Sequence, residues 1–174
     1  MTAGIKAALL FLAIPTAMLL GYDAMVVRPR LPGIEQILAD SDAQDASPPA
    51  MVRDLIDANA GSPGPHAVRL VLARLNPAPV PQWRAQVRES LWRVLLPLHL
   101  GRSRMYGLYA ALSYNGNGHG LSSFARREFG KPLDRLSARE AATTVANIHG
   151  PGLYLHNPHR LQARAELLLD RASR

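Results

Sequence analysis

A chain of 174 residues without cysteine has room for a membrane anchor and one compact domain, and it excludes a disulfide framework or a thiolate metal site. Lys and Arg number 20 against 13 Asp and Glu, giving a formal charge of +7 and a pI near 10.5, which calls for an anionic partner: a phosphate, a phospholipid surface or nucleic acid. The arginines are dispersed with no interleaved aromatic motif, and this argues against nucleic acid.

Residues 7–22, AALLFLAIPTAMLLGY, carry no charge, and with Met25, Val26 and Val27 after the lone Asp23 they are about long enough to span a bilayer as a helix. Pro15 is tolerated in such a helix. No small-x-small cleavage site follows Leu20, so residues 1–27 read as an uncleaved transmembrane anchor rather than a signal peptide. Lys6 on one side and Arg28 and Arg30 on the other leave the orientation open on charge alone.

Residues 28–49 read as a juxtamembrane linker. Ile34, Ile37 and Leu38 predict one short amphipathic turn, and Asp40, Asp42 and Asp45 predict a solvated stretch before the Ser47-Pro48-Pro49 break. Residues 50–174 then form the domain. Helices are predicted over 50–59 and 66–75, separated by the Gly- and Pro-rich residues 61–65, with a further break over 76–81. In the helix that begins near Trp83, the spacing of Trp83, Val87, Leu91, Val94 and Leu95 predicts a core face, leaving Arg84, Arg88 and Arg93 toward solvent. Pro97 is expected to kink or end it. Further helices are predicted over 105–114, 120–129, 137–148 and 161–171, the third opened by a capping box of Ser137 and Glu140. No alternating strand and no repeat appear, so the fold class is mainly α.

Residues 115–120, NGNGHG, lack the Lys-Ser/Thr of a phosphate loop and follow no strand, so they read as a structural turn. His149, His156 and His159 come without cysteine or an H-E-x-x-H helix, and no metal site is read from them. Tyr106, Tyr109 and Tyr114 fall at helix-like intervals and read as core.

From Glu89 onward a series of short matches keeps order and spacing: Glu89, Tyr109, Gly120, Phe129-Gly130-Lys131, Leu136, Glu140-Ala141-Ala142, Pro151, Tyr154, Asn157-Pro158 and Arg164. In this order they resemble the C-terminal half of glycosyltransferase family 51, the peptidoglycan glycosyltransferases of penicillin-binding proteins and monofunctional transglycosylases. The motifs are R-K-x-x-E, Y-L-N-x-x-x-F-G-x-G-x-x-G, Y-F-G-K, L-S-x-x-E-A-A, P-x-x-Y and N-P-e-x-A-x-x-R, with a small gap near Pro151.

The resemblance implies a lysozyme-like helical domain behind a single-pass anchor in the bacterial inner membrane, facing the periplasm. It implies lipid II or another lipid pyrophosphate as ligand, cell-wall synthesis proteins as further partners, and allows a divalent cation. It makes Glu89 the candidate catalytic carboxylate and Arg84, Arg88, Arg102 and Lys131 the candidate pyrophosphate contacts, with an i,i+4 ion pair to Arg93 as the structural alternative for Glu89.

The family's general base departs from the pattern. Its motif, E-D-x-x-F-x-x-H-x-G, falls on MVRDLIDANAG, where Arg53, Ala58 or Asn59 takes the glutamate position and Asp54 and Asp57 are the nearby carboxylates. No glutamate lies between Glu35 and Glu89. The donor-site motif G-S-T-I-T-Q-Q falls on Gly64-Pro65-His66-Ala67-Val68-Arg69-Leu70, and His66 reads as a helix-start residue in solvent. The resulting expectation is a glycosyltransferase-like protein of cell-wall biogenesis with impaired catalysis. The alternatives are an active small transglycosylase with a substitute base and a non-catalytic membrane scaffold.

Overall fold

A computed structural model describes residues 3–75 and 78–173, with side chains described for 13–75, 78–154 and 156–173. The break expected over 76–81 therefore falls partly, at residues 76–77, outside the described residues. The chain is mainly helical, with no strand among the described residues and a single isolated bridge between Tyr114 and His119.

Helix α1 (Ala3–Tyr22) contains Pro15 and runs through a π turn (Asp23–Val27) and a 3-10 turn (Arg28–Arg30) into α2 (Leu31–Asp40). Among the described residues no helix is long and apolar enough to cross a membrane. The side chains of residues 7–12, the first part of the expected anchor, lie outside the described ones.

Residues 28–49, expected as a solvated linker, are packed. Ile34 is fully buried and Asp45 is 4% exposed. Both α2 and α3 (Ala43–Ala46) lie against α6 (Gln82–Leu112). Three closely spaced aspartates predict a solvated stretch, whereas Asp45 turns inward to accept the Ser122 amide at 2.9 Å. That amide belongs to the first turn of α7 (Leu121–Phe129), whose N-cap is Gly120 and so brings no side chain of its own.

The centre of the domain is α6. Along it packs α5 (Pro63–Leu75), while α10 (Pro158–Ala172) packs on α8 (Ala138–Asn147) and α4 (Ala50–Ala60) sits against both. Each of α5, α9 (Pro151–Leu155) and α10 starts on a proline, whose missing N–H is no loss in a first turn. The capping box on α8 is present: Glu140 N–H donates to Ser137 Oγ, and Ser137 N–H donates to Glu140 Oε2 at 2.8 Å.

Two expectations for α6 are corrected. The helix continues through Pro97 and breaks at Gly101, whose φ of 72° is a conformation open to glycine and strained for a side-chain-bearing residue. The core face is also different. Leu95 is buried as its spacing predicts, whereas Trp83, Val87 and Val94 are exposed by 62%, 53% and 54%, and Trp92, outside the predicted face, is buried. One helix carries two apolar sides, and spacing alone selected the outer one.

Candidate functional site

The end of α4, the start of α5, the second half of α6 and the junction between α8 and α9 meet around a cavity of about 480 Å³. Asn59 enters from α4, His66 and Arg69 from α5, Tyr109 from α6 and His149 from the turn after α8. His66 and Arg69 share a face of α5 because they are three apart, while Ala67, Val68, Val71 and Leu72 bury the other side. The His66 ring meets the Tyr109 ring edge-on at 6.0 Å.

Arg69 is held from outside the cavity. Its Nε and Nη2 donate to Glu89 Oε1 at 3.4 and 3.3 Å, and Arg93 Nη2 donates to the same oxygen at 2.5 Å. One carboxylate thus serves two guanidinium groups, and the cluster keeps a surplus positive charge beside the cavity. Glu89 makes the i,i+4 pair that its spacing allowed, and it also positions a cation that lines the cavity.

Asn59, one of the residues at the family's glutamate position, accepts from Arg164 Nη2 at 2.8 Å through Oδ1. Its amide is neutral and cannot take a proton as a base does. The Tyr109 hydroxyl lies by it, pushed to a higher pKa by burial while the Asn59 hydrogen bond acts the other way. Among the described residues no side chain lining this cavity is a carboxylate.

The two aspartates lie elsewhere. Asp54 and Asp57 line a separate cavity of about 320 Å³ together with Arg102 and Tyr106. Asp57 Oδ2 accepts from the Tyr106 hydroxyl at 2.5 Å and from Arg102 Nη2 at 3.0 Å, while its Oδ1 is buried without a partner.

The candidate pyrophosphate contacts have no partner in common. The Arg84 guanidinium lies over the Trp83 ring at 5.1 Å, and Arg88 is half-buried with an unpartnered Nε. Arg102 is engaged with Asp57, and Lys131 Nζ donates to Glu140 Oε1 at 2.7 Å. Lys131 and the Ser137 cap together hold the Glu140 carboxyl down at about 2, so two of the family-like positions serve the start of α8. His66 is exposed near the start of α5, as its sequence context predicts, but the sequence marks neither it nor Asn59, Arg69 or His149 as a cavity residue. The signal for Arg69 was its place three residues after His66, inside the altered donor-site segment.

The glycine-rich loop is stitched to itself. Asn115 N–H donates to Gly118 O at 2.9 Å and Gly120 N–H to Ser113 O at 3.0 Å, and Asn147 Nδ2 donates to Asn115 O at 2.9 Å. The amides of Asn115, Asn117 and Gly120 are thereby engaged within the loop and its flanks. Glu89, the carboxylate that the family resemblance would set beside a divalent cation, has Oε1 engaged by two guanidinium groups. Among the described residues no three His, Asp or Glu side chains gather to hold an ion. No protein-family model matches the sequence, and no curated protein matches it significantly.

Proposed function

We propose that this chain is a membrane-anchored relative of glycosyltransferase family 51 that binds a lipid-linked pyrophosphate, of which lipid II is the expected example, without polymerising it. Residues 7–22 hold it to the bacterial inner membrane, Asp23 and Val27 being buried in the domain, which lies in the periplasm and acts as a binding or scaffold protein of cell-wall biogenesis. The observation that carries this reading is the cavity bounded by Asn59, His66, Arg69 and Tyr109: it has an arginine and two histidines on its wall and no carboxylate. Such a wall suits a phosphate through charge-assisted hydrogen bonds. It offers no carboxylate to remove the acceptor hydroxyl proton, a step that contributes a factor of about 10² to 10⁴ when a side chain performs it.

The test is to incubate the purified protein with lipid II in detergent or vesicles and resolve the products on a gel. No glycan chains are expected at ordinary enzyme concentrations, and processive chains would overturn the proposal. One observation favours a second reading, an active transglycosylase using Asp57: its Oδ1 is unpartnered beside a cavity. Chains that vanish in Asp57→Asn would establish that reading instead.

A further inference from the structure

The first half of α6 is apolar on two opposite sides. Trp92, Leu95 and Leu96 face the core, at 1%, 5% and 0% exposure. Trp83, Val87, Val94 and Leu98 are exposed by 62%, 53%, 54% and 75%. At about 100° per residue the exposed four lie within about 60° of one another, and Trp92 lies about 180° around the helix from Trp83. A helix in a water-soluble setting does not need the second side.

The occupant is indicated by what surrounds this side. Arg84 stacks on Trp83 and is exposed, and Arg88 follows one turn on. The nearest acid, Glu89, points to the other flank and is already shared by Arg69 and Arg93. Trp with neighbouring arginines around an aliphatic strip is the composition that rests in the headgroup layer of an anionic bilayer. A second copy of the chain would bring the same arginines against these and would repel. On its inner side, opposite the strip, the same stretch of α6 adjoins the proposed anchor. Trp92 Nε1 donates to the Tyr22 hydroxyl at 3.2 Å and His99 Nε2 lies 2.6 Å from Asp23 Oδ1, so this half of α6 runs beside the end of α1. There Met18, Leu20 and Met25 are themselves exposed by 71%, 60% and 80%.

We infer that residues 82–100 of α6 form an interfacial helix that lies on the membrane through Trp83, Val87, Val94 and Leu98, with Arg84 and Arg88 on lipid phosphates. This rests on the membrane anchorage proposed above, and the two are separable by experiment. The full chain has two tryptophans, Trp83 and Trp92, so the Trp83→Phe variant isolates the signal of Trp83 by difference. It is reconstituted into vesicles of phosphatidylcholine and phosphatidylglycerol containing lipids brominated at successive acyl-chain depths.

Trp83 is expected to be quenched most by the shallowest bromines, and the quenching to fall several-fold in Val87→Asp/Val94→Asp, whose exposed sites leave the core untouched. Trp83 that stays unquenched at every depth overturns the inference, even where the protein resists carbonate extraction and the anchorage stands. Protein released by carbonate but with Trp83 quenched on vesicles would remove the anchorage and leave the interfacial helix in place. The absence of cysteine makes Val94→Cys a single-site reporter, and ready crosslinking between two copies through it would also overturn the inference.

Discussion

Glu89 accepts from Arg69 Nη2 at 3.3 Å, and under the proposed function the carboxylate that family resemblance marks as catalytic positions a cation of the cavity. Its i,i+4 pair with Arg93 was legible from spacing, but the Arg69 contact joins residues on two helices and no local pattern announces it. Asp45 shows a similar limit. As one of three closely spaced aspartates it looked solvated, yet burial raises its carboxyl to about 6 from an ordinary 3.8, with the Ser122 amide pulling the other way and Asp42 adding to the rise. A carboxyl raised on folding contributes stability that is full below 3.8 and lost as pH climbs through about 6. Urea midpoints of the native chain should therefore fall between mildly acidic and neutral pH, with a total swing of up to about 3 kcal/mol. Asp45→Asn should lack this component, and a variant whose pH profile parallels the native one would show that Asp45 ionises freely.

At the scale of elements, helix existence was legible and helix faces were not. Period and turn chemistry located α4, α5, α7, α8 and α10 to within a few residues, and the Ser137 and Glu140 capping box was read in full. The outer strip of α6 took the place of its inner one because both repeat at helical spacing, and only burial tells them apart. The packing of α3 on α6 was illegible for a different reason. It depends on Gly107, where an added Cβ would collide with the backbone carbonyl of Ala46. A glycine inside a helix looks like a weak point in sequence and is here the place where two backbones approach. Gly107→Ala should destabilise the fold by about 1–3 kcal/mol, the usual cost of overpacking a tight contact, despite alanine's better helix propensity. A thermal melt at or above the native midpoint would show that residues 28–49 are not integral to the core.

For the molecule as a whole, the charge of +7 has two uses in this account. Under the proposed function Arg69 and the surplus charge beside Glu89 would hold a pyrophosphate, and under the inferred interfacial helix Arg84 and Arg88 would meet the membrane on which that lipid resides. The sequence calls for an anionic partner and distributes its contacts over Arg84, Arg88, Arg102 and Lys131, two of which the fold pairs with Asp57 and Glu140. Arg102 and Asp57 are 45 residues apart and Lys131 and Glu140 nine apart, separations outside the i,i+3 and i,i+4 pairs of one helix, so packing decides them and a linear pattern does not carry that information. The central claim is a pyrophosphate site at the cavity of Arg69. It is tested most directly by titrating the full chain in nanodiscs with an undecaprenyl pyrophosphate and with its uncharged alcohol, for the native protein and Arg69→Ala. Loss of a charge-assisted contact of about 1.5–3 kcal/mol predicts a roughly tenfold or greater weakening for the pyrophosphate and no change for the alcohol, whereas equal affinities of native protein and variant for the pyrophosphate would contradict the account.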